Sequence, residues 1–409
     1  MRRDADPVGL AEAARDALGK RARYGPDVDL ESYRLEEPRV ERGDPDPALL
    51  EEARRKVGVD PGVTSYFQAG ETAFYRMMAD SLAKLGVVVK PLRVALEEDE
   101  AARRLAWRLV RPDADKYTAA AYLYGGELGY YIYVPPGVKV DKPIYTCLSL
   151  FTGGEAQFTH NIVFVDEGAE AHVTTGCMVP HGVRGGLHVG ISEFYVARGA
   201  RLGFTMLHSW APGVHVRPRT AARVEEDGEY RSYYVIYSPV ASIQSFPKAF
   251  LARGAYAKFT SIVSAEGGGV YDLGGAAVLE GEGASAEVVS RVMARDGSRV
   301  TARGDILAKV GGARGHIECL GLLLDEESLV ESIPVITSRA PGAELTHEAA
   351  IGSLAEENIA YLEAKGFTED EARAMLLRGF LSVEEPGLPP LVKSEVDRIV
   401  EYIVERAVG

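Results

Sequence analysis

Gly312-Ala313-Arg314-Gly315-His316-Ile317-Glu318-Cys319-Leu320 and, thirty residues on, Gly342-Ala343-Glu344-Leu345-Thr346-His347-Glu348-Ala349-Ala350 decide the fold of this chain. The opening Gly-Ala pair also stands at Gly168-Ala169, Gly199-Ala200, Gly254-Ala255 and Gly283-Ala284, with a degenerate Gly228-Glu229 between the second and third. Start-to-start spacings are 31, 29, 26, 29, 29 and 30 residues. A near-constant period of this size marks stacked repeats. Apolar residues alternate after most copies, as in Glu170-Ala171-His172-Val173 and Ser285-Ala286-Glu287-Val288. A period of two marks strands rather than helices. Weaker marks near the half-period, at Gly154, Gly269 and Gly297, give each repeat a second corner. The expected fold is mainly β, a parallel β-helix.

Stacking fixes which residues become neighbours. Strands of successive coils lie about 4.8 Å apart, so the last two coils can be laid on one another from their glycines. Glu318 and Glu348 share offset six, while Cys319 has offset seven and His347 offset five. Odd offsets share one face, so Cys319 and His347 are expected as diagonal neighbours, with Cβ atoms roughly 7–8 Å apart. A thiolate and an imidazole so placed can both bind a metal or the edge of a cluster.

The chain has 409 residues and is 46 % hydrophobic, enough for a large core. A solenoid grows by adding coils rather than domains, so this length does not require several domains. A net charge of −14 and an isoelectric point near 5.2 argue against nucleic-acid and anionic-membrane partners, which reward basic faces. No apolar run approaches the roughly 20 residues of a membrane span. Met1-Arg2-Arg3-Asp4-Ala5-Asp6 lacks the apolar core of a signal peptide. Three cysteines, Cys147, Cys177 and Cys319, do not make a disulfide framework, and a reducing cytoplasm is the expected compartment.

Three regions are expected: 1–120 mainly helical, 121–352 the β-helix, and 353–409 helical again. Leu49 to Arg55 and Thr72 to Met78 are rich in helix formers, and 97–110 reads as a further helix with an acidic start. Leu128 to Val134 is strand-like, and Pro135-Pro136-Gly137-Val138 is a turn. Beyond Ser353, Ile359, Leu362, Met375, Leu376 and Phe380 mark apolar faces, and Glu385 to Pro390 is a turn. Ser394 is the expected N-cap of a final helix whose Val396, Ile399, Val400, Ile403 and Val404 form one stripe. That pattern alone predicts docking against the preceding helices.

No Walker A loop, nucleophile elbow, C-x-x-C pair or H-E-x-x-H helix is present. Gly267-Gly268-Gly269 has no Lys-Ser/Thr behind it and reads as a turn rather than a phosphate cradle. A lone cysteine such as Cys319 is ordinarily a small buried apolar residue; its pairing with His347 beside the Glu318/Glu348 row raises the ligand reading. Cys147 and Cys177, without such partners, default to packing. His160, His172 and His188 read as hydrogen-bonded structural histidines, and His208 and His215 carry no more information.

Ordered blocks along the chain resemble the SufB/SufD family of iron–sulfur cluster assembly scaffolds, SufB more than SufD. They include Tyr133-Val134-Pro135-Pro136-Gly137-Val138, Asp166-Glu167-Gly168-Ala169, Gly176-Cys177, His316 to Leu324, Thr346-His347-Glu348-Ala349-Ala350, Lys365-Gly366 and Gly379-Phe380. The resemblance runs from about residue 85 to 409, and the first 80 residues match poorly. It implies a right-handed parallel β-helix between N- and C-terminal helical regions. It implies a second SufB/SufD-type scaffold subunit, as homodimer or heterodimer, meeting this one through the β-helices. It also implies a SufC-type ABC ATPase docked on the C-terminal helices, which reverses the pattern-based reading of the last helix. A transient iron–sulfur cluster would form between the scaffolds, with Cys319, Glu348 and His347 as the matching site residues and no catalytic residue.

One departure concerns sulfur. SufB-type proteins often carry a mid-helix cysteine thought to receive it from the sulfur donor, and Arg223-Val224-Glu225-Glu226-Asp227-Gly228 contains none. The expected function is therefore a non-enzymatic assembly scaffold working with an ATPase partner. Its rivals are a SufD-like subunit without its own cluster role and a β-helix polysaccharide lyase or hydrolase.

Overall fold

The computed structural model describes residues 7–43, 45–58, 64–75, 80–383 and 387–408. The chain is mainly β, with two large, mostly parallel sheets and helices toward both ends. From Ile144 to Gly352 the chain passes back and forth between them. Ile144–Ser149, Glu170–Met178, Arg201–Ser209, Glu229–Ile236, Tyr256–Ala265, Ser285–Ala294, Arg314–Leu323 and Glu344–Gly352 lie in the first sheet, each in parallel with the next. The intervening segments, among them Ala156–Val165, Gly186–Val196, Val270–Leu279, Arg299–Ala308 and Leu329–Ser338, build the second. One continuous apolar core, including Val173, Phe204, Val288, Val292, Ile306 and Ile317, fills the space to which both sheets contribute.

The glycine beat is a set of corners. Gly168, Gly199, Gly254, Gly283, Gly312 and Gly342 all have φ between 64° and 83°, where a Cβ is disfavoured. The degenerate copy is out of step by one residue. Glu229 pairs with Arg201, so Asp227, at φ 55°, takes the glycine position and Gly228 that of the alanine. Counted from Asp227 the spacings become 31, 28, 27, 29, 29 and 30 residues. Aspartate is among the few side chains that tolerate this conformation. At Gly312 an added Cβ would approach nothing closer than 3.4 Å, so substitution tests the backbone alone. Gly312→Ala is expected to lower unfolding free energy by about 1–2 kcal/mol. An unchanged urea midpoint would contradict this account of the corners.

The N-terminal region is less purely helical than its composition suggests. Helices Pro7–Ala17, Pro47–Val57 and Lys116–Tyr124 are present, but Arg39–Arg42, Thr64–Ala69 and Thr72–Tyr75 extend the first sheet and Val88–Pro91 the second. Thr72–Tyr75 was expected as helix; it is a strand paired antiparallel with Thr64–Ala69 around Gly70 at φ 56°. The rest of that expected helix, Arg76 to Met78, lies outside the described residues, as do Met1 to Asp6 and Glu385–Pro386. The helix expected over 97–110 is broken at Asp99. Its carboxylate accepts from the Ala101 and Ala102 amides and starts a separate helix, Glu100–Leu105. The expected strand appears as Tyr130–Val134 and the triple-glycine turn as the link between two strands. An extended segment near residues 24–28 is fastened to the second sheet by the fully buried Arg217, which donates to the Pro26 carbonyl at 2.8 Å.

The last helix runs Pro390–Val408, so Ser394 lies inside its first turns and is not its cap; the proline at the first position starts it instead. Val396, Ile399, Val400, Ile403 and Val404 are buried against this chain's own residues, including Leu377, Leu381 and the outer side of the first sheet at Val235, Ile262 and Met293. The stripe is therefore occupied within the chain, and a partner must use other residues. No helix among the described residues is long and apolar enough to cross a membrane.

Candidate functional site

The glycine-anchored overlay of the last two strands of the first sheet has no bulge. Ile317 pairs with His347, Glu318 with Glu348 and Cys319 with Ala349. Along Arg314–Leu323, Gly315, Ile317, Cys319 and Gly321 are buried, while His316, Glu318 and Leu320 are half-buried. Cys319 therefore faces the core between the sheets. Alternation gives His347 the same face, one coil on and two residues displaced, with Ala349 directly beside Cys319. It gives Glu348 the opposite face, next to Glu318, whose Oε1 lies 2.5 Å from Arg291 Nη2. The expected trio is thus split by the pleat. Cys319 and His347 share a wall, and Glu348 lies around the edge of the last strand.

The environment of Cys319 explains what its sulfur can do. At 2 % exposure, burial pushes the thiol upward, and the nearby Glu318 charge adds to this. The hydroxyls of Ser332 and Ser290 act in the opposite sense, as does Arg291. Burial prevails, which favours the protonated thiol. Ser290 is the in-register residue of the neighbouring strand, and Ser261, on the next strand of the sheet, is 3.0 Å from it, hydroxyl to hydroxyl. A file of small polar side chains thus leads along the core to Cys319. Ser290, Ser332 and Arg291 escaped the sequence reading, although counting back one coil from Cys319 finds the first.

The site lies at an unfinished end. Glu344–Gly352 terminates the first sheet and Leu329–Ser338 the second. Both leave apolar side chains in the open: Ile333, Val335, Ile336 and Ile351 are 38–44 % exposed. An uncovered sheet end with apolar side chains is a template for pairing. Among the described residues no group of three or more His, Cys, Asp or Glu side chains is placed to hold a metal.

The other singled-out residues are hydrogen-bonded or buried within the chain. His160 Nε2 meets Glu193 at 2.8 Å, His172 Nε2 meets Thr205 at 2.9 Å, and His188 Nδ1 meets Gln157 at 2.8 Å. His208 accepts from the Trp210 indole at 2.7 Å, and His215 meets Ser242 at 2.6 Å. Cys147 and Cys177 are fully buried, and burial pushes both thiols up, far from reactivity. Burial holds His172 and His188 down to about 3. Their unfolded counterparts take a proton near 6.5, so each costs stability as pH falls from about 6.5 toward 3, by about 1.4 kcal/mol per unit at the steepest. Glu71 and Glu155, whose carboxyls burial pushes up, act in the opposite direction. The single variant His172→Asn isolates one contribution: its stability is expected to fall less steeply than that of wild type between pH 6 and pH 4. Parallel curves would contradict the assignment.

Comparison with known proteins shows what the chain as a whole is similar to. The sequence model described as "SUF system FeS cluster assembly, SufBD core domain" matches residues 149–380, more than half of the chain. An "Iron-sulfur cluster assembly SufBD family protein" of Methanothermobacter thermautotrophicus is 38 % identical over 408 residues, covering 97 % of this chain and 98 % of the relative. Coverage of 97 % takes in most of the first 80 residues, the stretch in which the SufB/SufD resemblance was poor. A protein of the same description from Archaeoglobus fulgidus is 42 % identical over 316 residues, 77 % of this chain and 85 % of its own. The "Iron-sulfur cluster assembly protein SufB" of Bacillus subtilis is 29 % identical over 378 residues, 89 % of this chain and 80 % of its own.

Proposed function

The chain belongs to the SufBD family of iron–sulfur cluster assembly proteins, and from that premise we propose that it is the scaffold on which a nascent cluster is built between two copies. In this reading the two sheets are walls of a right-handed parallel β-helix, and its open C-terminal end is where the copies meet. The observation that carries the proposal is the position of Cys319 and His347 on one wall of that unfinished end, within a rim of exposed apolar side chains. One chain offers too few ligands to close a cluster. A two-fold partner brings the same residues from the other side. Cys319 supplies a soft thiolate, His347 an imidazole, and Glu348 a carboxylate that reaches around the edge of the last strand.

Mixed sulfur, nitrogen and oxygen ligation suits a cluster that must leave, because the weaker ligands exchange. The cluster is cargo, and the protein itself performs no catalytic step. ATP hydrolysis belongs to a SufC-type partner, proposed to dock on the C-terminal helices Glu356–Glu363 and Glu369–Leu381. Tyr361, Phe367 and Met375 are exposed there although the stripe of the last helix is buried. Arg223 to Gly228 provides no sulfur relay, since it forms a strand end and a corner without a thiol.

The test is anaerobic purification with the ATPase partner, iron and acid-labile sulfide analysis, and transfer to an apo-acceptor protein. The proposal expects bound iron and sulfide in equal amounts and their delivery to the acceptor. Protein that takes up neither under these conditions would remove the scaffold role.

A further inference from the structure

A cavity of about 760 Å3 lies on the outer side of the second sheet, beneath the helices Pro7–Ala17, Leu92–Glu98, Glu100–Leu105 and Lys116–Tyr124. It is remote in sequence from the cluster-binding end and is lined by Leu10, Leu96, Trp107, Ala121, Tyr122 and His160, among others. Its size is that of a small-molecule site.

Three features mark it as built. The first is its floor. Glu193, with no exposed surface, accepts from the backbone amides of Trp107 at 2.6 Å, Leu109 at 2.5 Å and Val110 at 3.1 Å, and meets His160 Nε2 at 2.8 Å. Pinning the loop needs only the three amides; the fourth contact fixes an imidazole. In the tautomer that donates from Nε2 to this carboxylate, Nδ1 is the acceptor nitrogen of the ring. That atom is buried and has no hydrogen-bond partner, in a residue only 3 % exposed. The second is backbone strain. Only four non-glycine residues among those described have positive φ. Asp227 and Asp296 sit at strand-to-strand turns, but Trp107 and Glu127, both at φ 60°, line this cavity. Such strain concentrates at ligand sites. The third is the wall: the Trp107 indole lies 4.3 Å from the His160 ring and 5.2 Å from that of Tyr122.

The rim carries Arg103, Arg104 and Arg108 against Glu97, Glu100 and Glu127, so it does not select by net charge. Selection falls to ring shape and to the acceptor on the floor. We propose that this cavity binds a small planar heteroaromatic molecule that stacks on Trp107 and donates a hydrogen bond from its edge to His160 Nδ1. A ligand that enters beside the paired Trp107 and His160 rings changes the surroundings of the indole, which makes its emission the readout.

The chain has two tryptophans, and the other, Trp210, is buried in the core between the sheets. Adenosine, adenosine 5′-monophosphate and purine riboside, which lacks the amino donor, are titrated into the full chain, with equilibrium dialysis in parallel. The proposal expects adenosine and its monophosphate to saturate below ~1 mM with affinities within about threefold, and purine riboside to bind at least about tenfold more weakly. Leu10→Trp, which adds bulk to the lining, should abolish binding by dialysis; His160→Phe should erase the preference for adenosine over purine riboside. No saturation by adenosine, affinity residing in the phosphate alone, or an emission change that persists in Trp107→Phe would each overturn it.

Discussion

Replacing Cys319 with alanine is expected to lower iron and acid-labile sulfide uptake by about tenfold or more, since the thiolate is the one soft ligand at the open end. The physical argument rests on position rather than on reactivity. Burial keeps the thiol protonated in the empty protein, so it does not bind metal by standing ready as a thiolate. In the proposed role an arriving iron ion displaces the proton, and uptake should therefore rise with pH. A packing role for the same sulfur predicts a different outcome. Cys177 is also fully buried and also faces the core, five strands away in the same sheet. Cys177→Ala should cost similar stability while leaving cluster uptake unchanged. His347→Ala should reduce uptake less than loss of the thiol, and Glu348→Ala less again, because its side chain starts from the other face of the strand. Equal uptake by wild type and Cys319→Ala would remove Cys319 from the site.

An acidic substitution in the uncovered rim should separate the copies. Ile336 and Ile351 project from the two terminal strands and are 39 % and 42 % exposed. If a second copy covers them, Ile336→Asp buries an unpaired carboxylate in the contact, which costs about 3 kcal/mol, roughly a hundredfold in Kd. In the separated chain the same aspartate is solvated and nearly neutral for stability. Light scattering across a dilution series distinguishes the two. Wild-type dimers are expected, with monomeric Ile336→Asp melting close to wild type diluted until it dissociates; identical association of both would place the contact elsewhere.

The stacked strands were legible because their signals repeat. Gly312 and Gly342 fix a corner, alternation fixes the faces, and the register of Ile317 on His347 follows by counting. What failed had no repeat to correct it. Thr72–Tyr75 has helix-forming neighbours but becomes a strand because Gly70 folds it back on Thr64–Ala69. Asp227 hid a corner because it adopts a glycine's backbone without being one. The last helix begins at Pro390 rather than after Ser394, since proline at the first helical position is a stronger start than an interior serine.

The site was half legible. Offsets placed Cys319 with His347, but the same parity places Glu348 on the far face, a consequence that grouping the three by proximity in sequence concealed. Ser332 comes from the opposite sheet, and no single-strand count reaches it. The Glu193–His160 pair was invisible for a similar reason: it joins adjacent strands across a long separation and is completed by a loop around Trp107 whose backbone conformation no pattern announces.

Anaerobic size-exclusion chromatography after reconstitution, with iron and sulfide measured in each fraction, tests most directly whether the cluster is held between two copies. The account predicts that iron and sulfide travel only with the dimer, at one shared cluster per pair, and that both are lost from monomeric Ile336→Asp even though its Cys319, His347 and Glu348 are intact. A monomer that carries a full complement of iron and sulfide would contradict it.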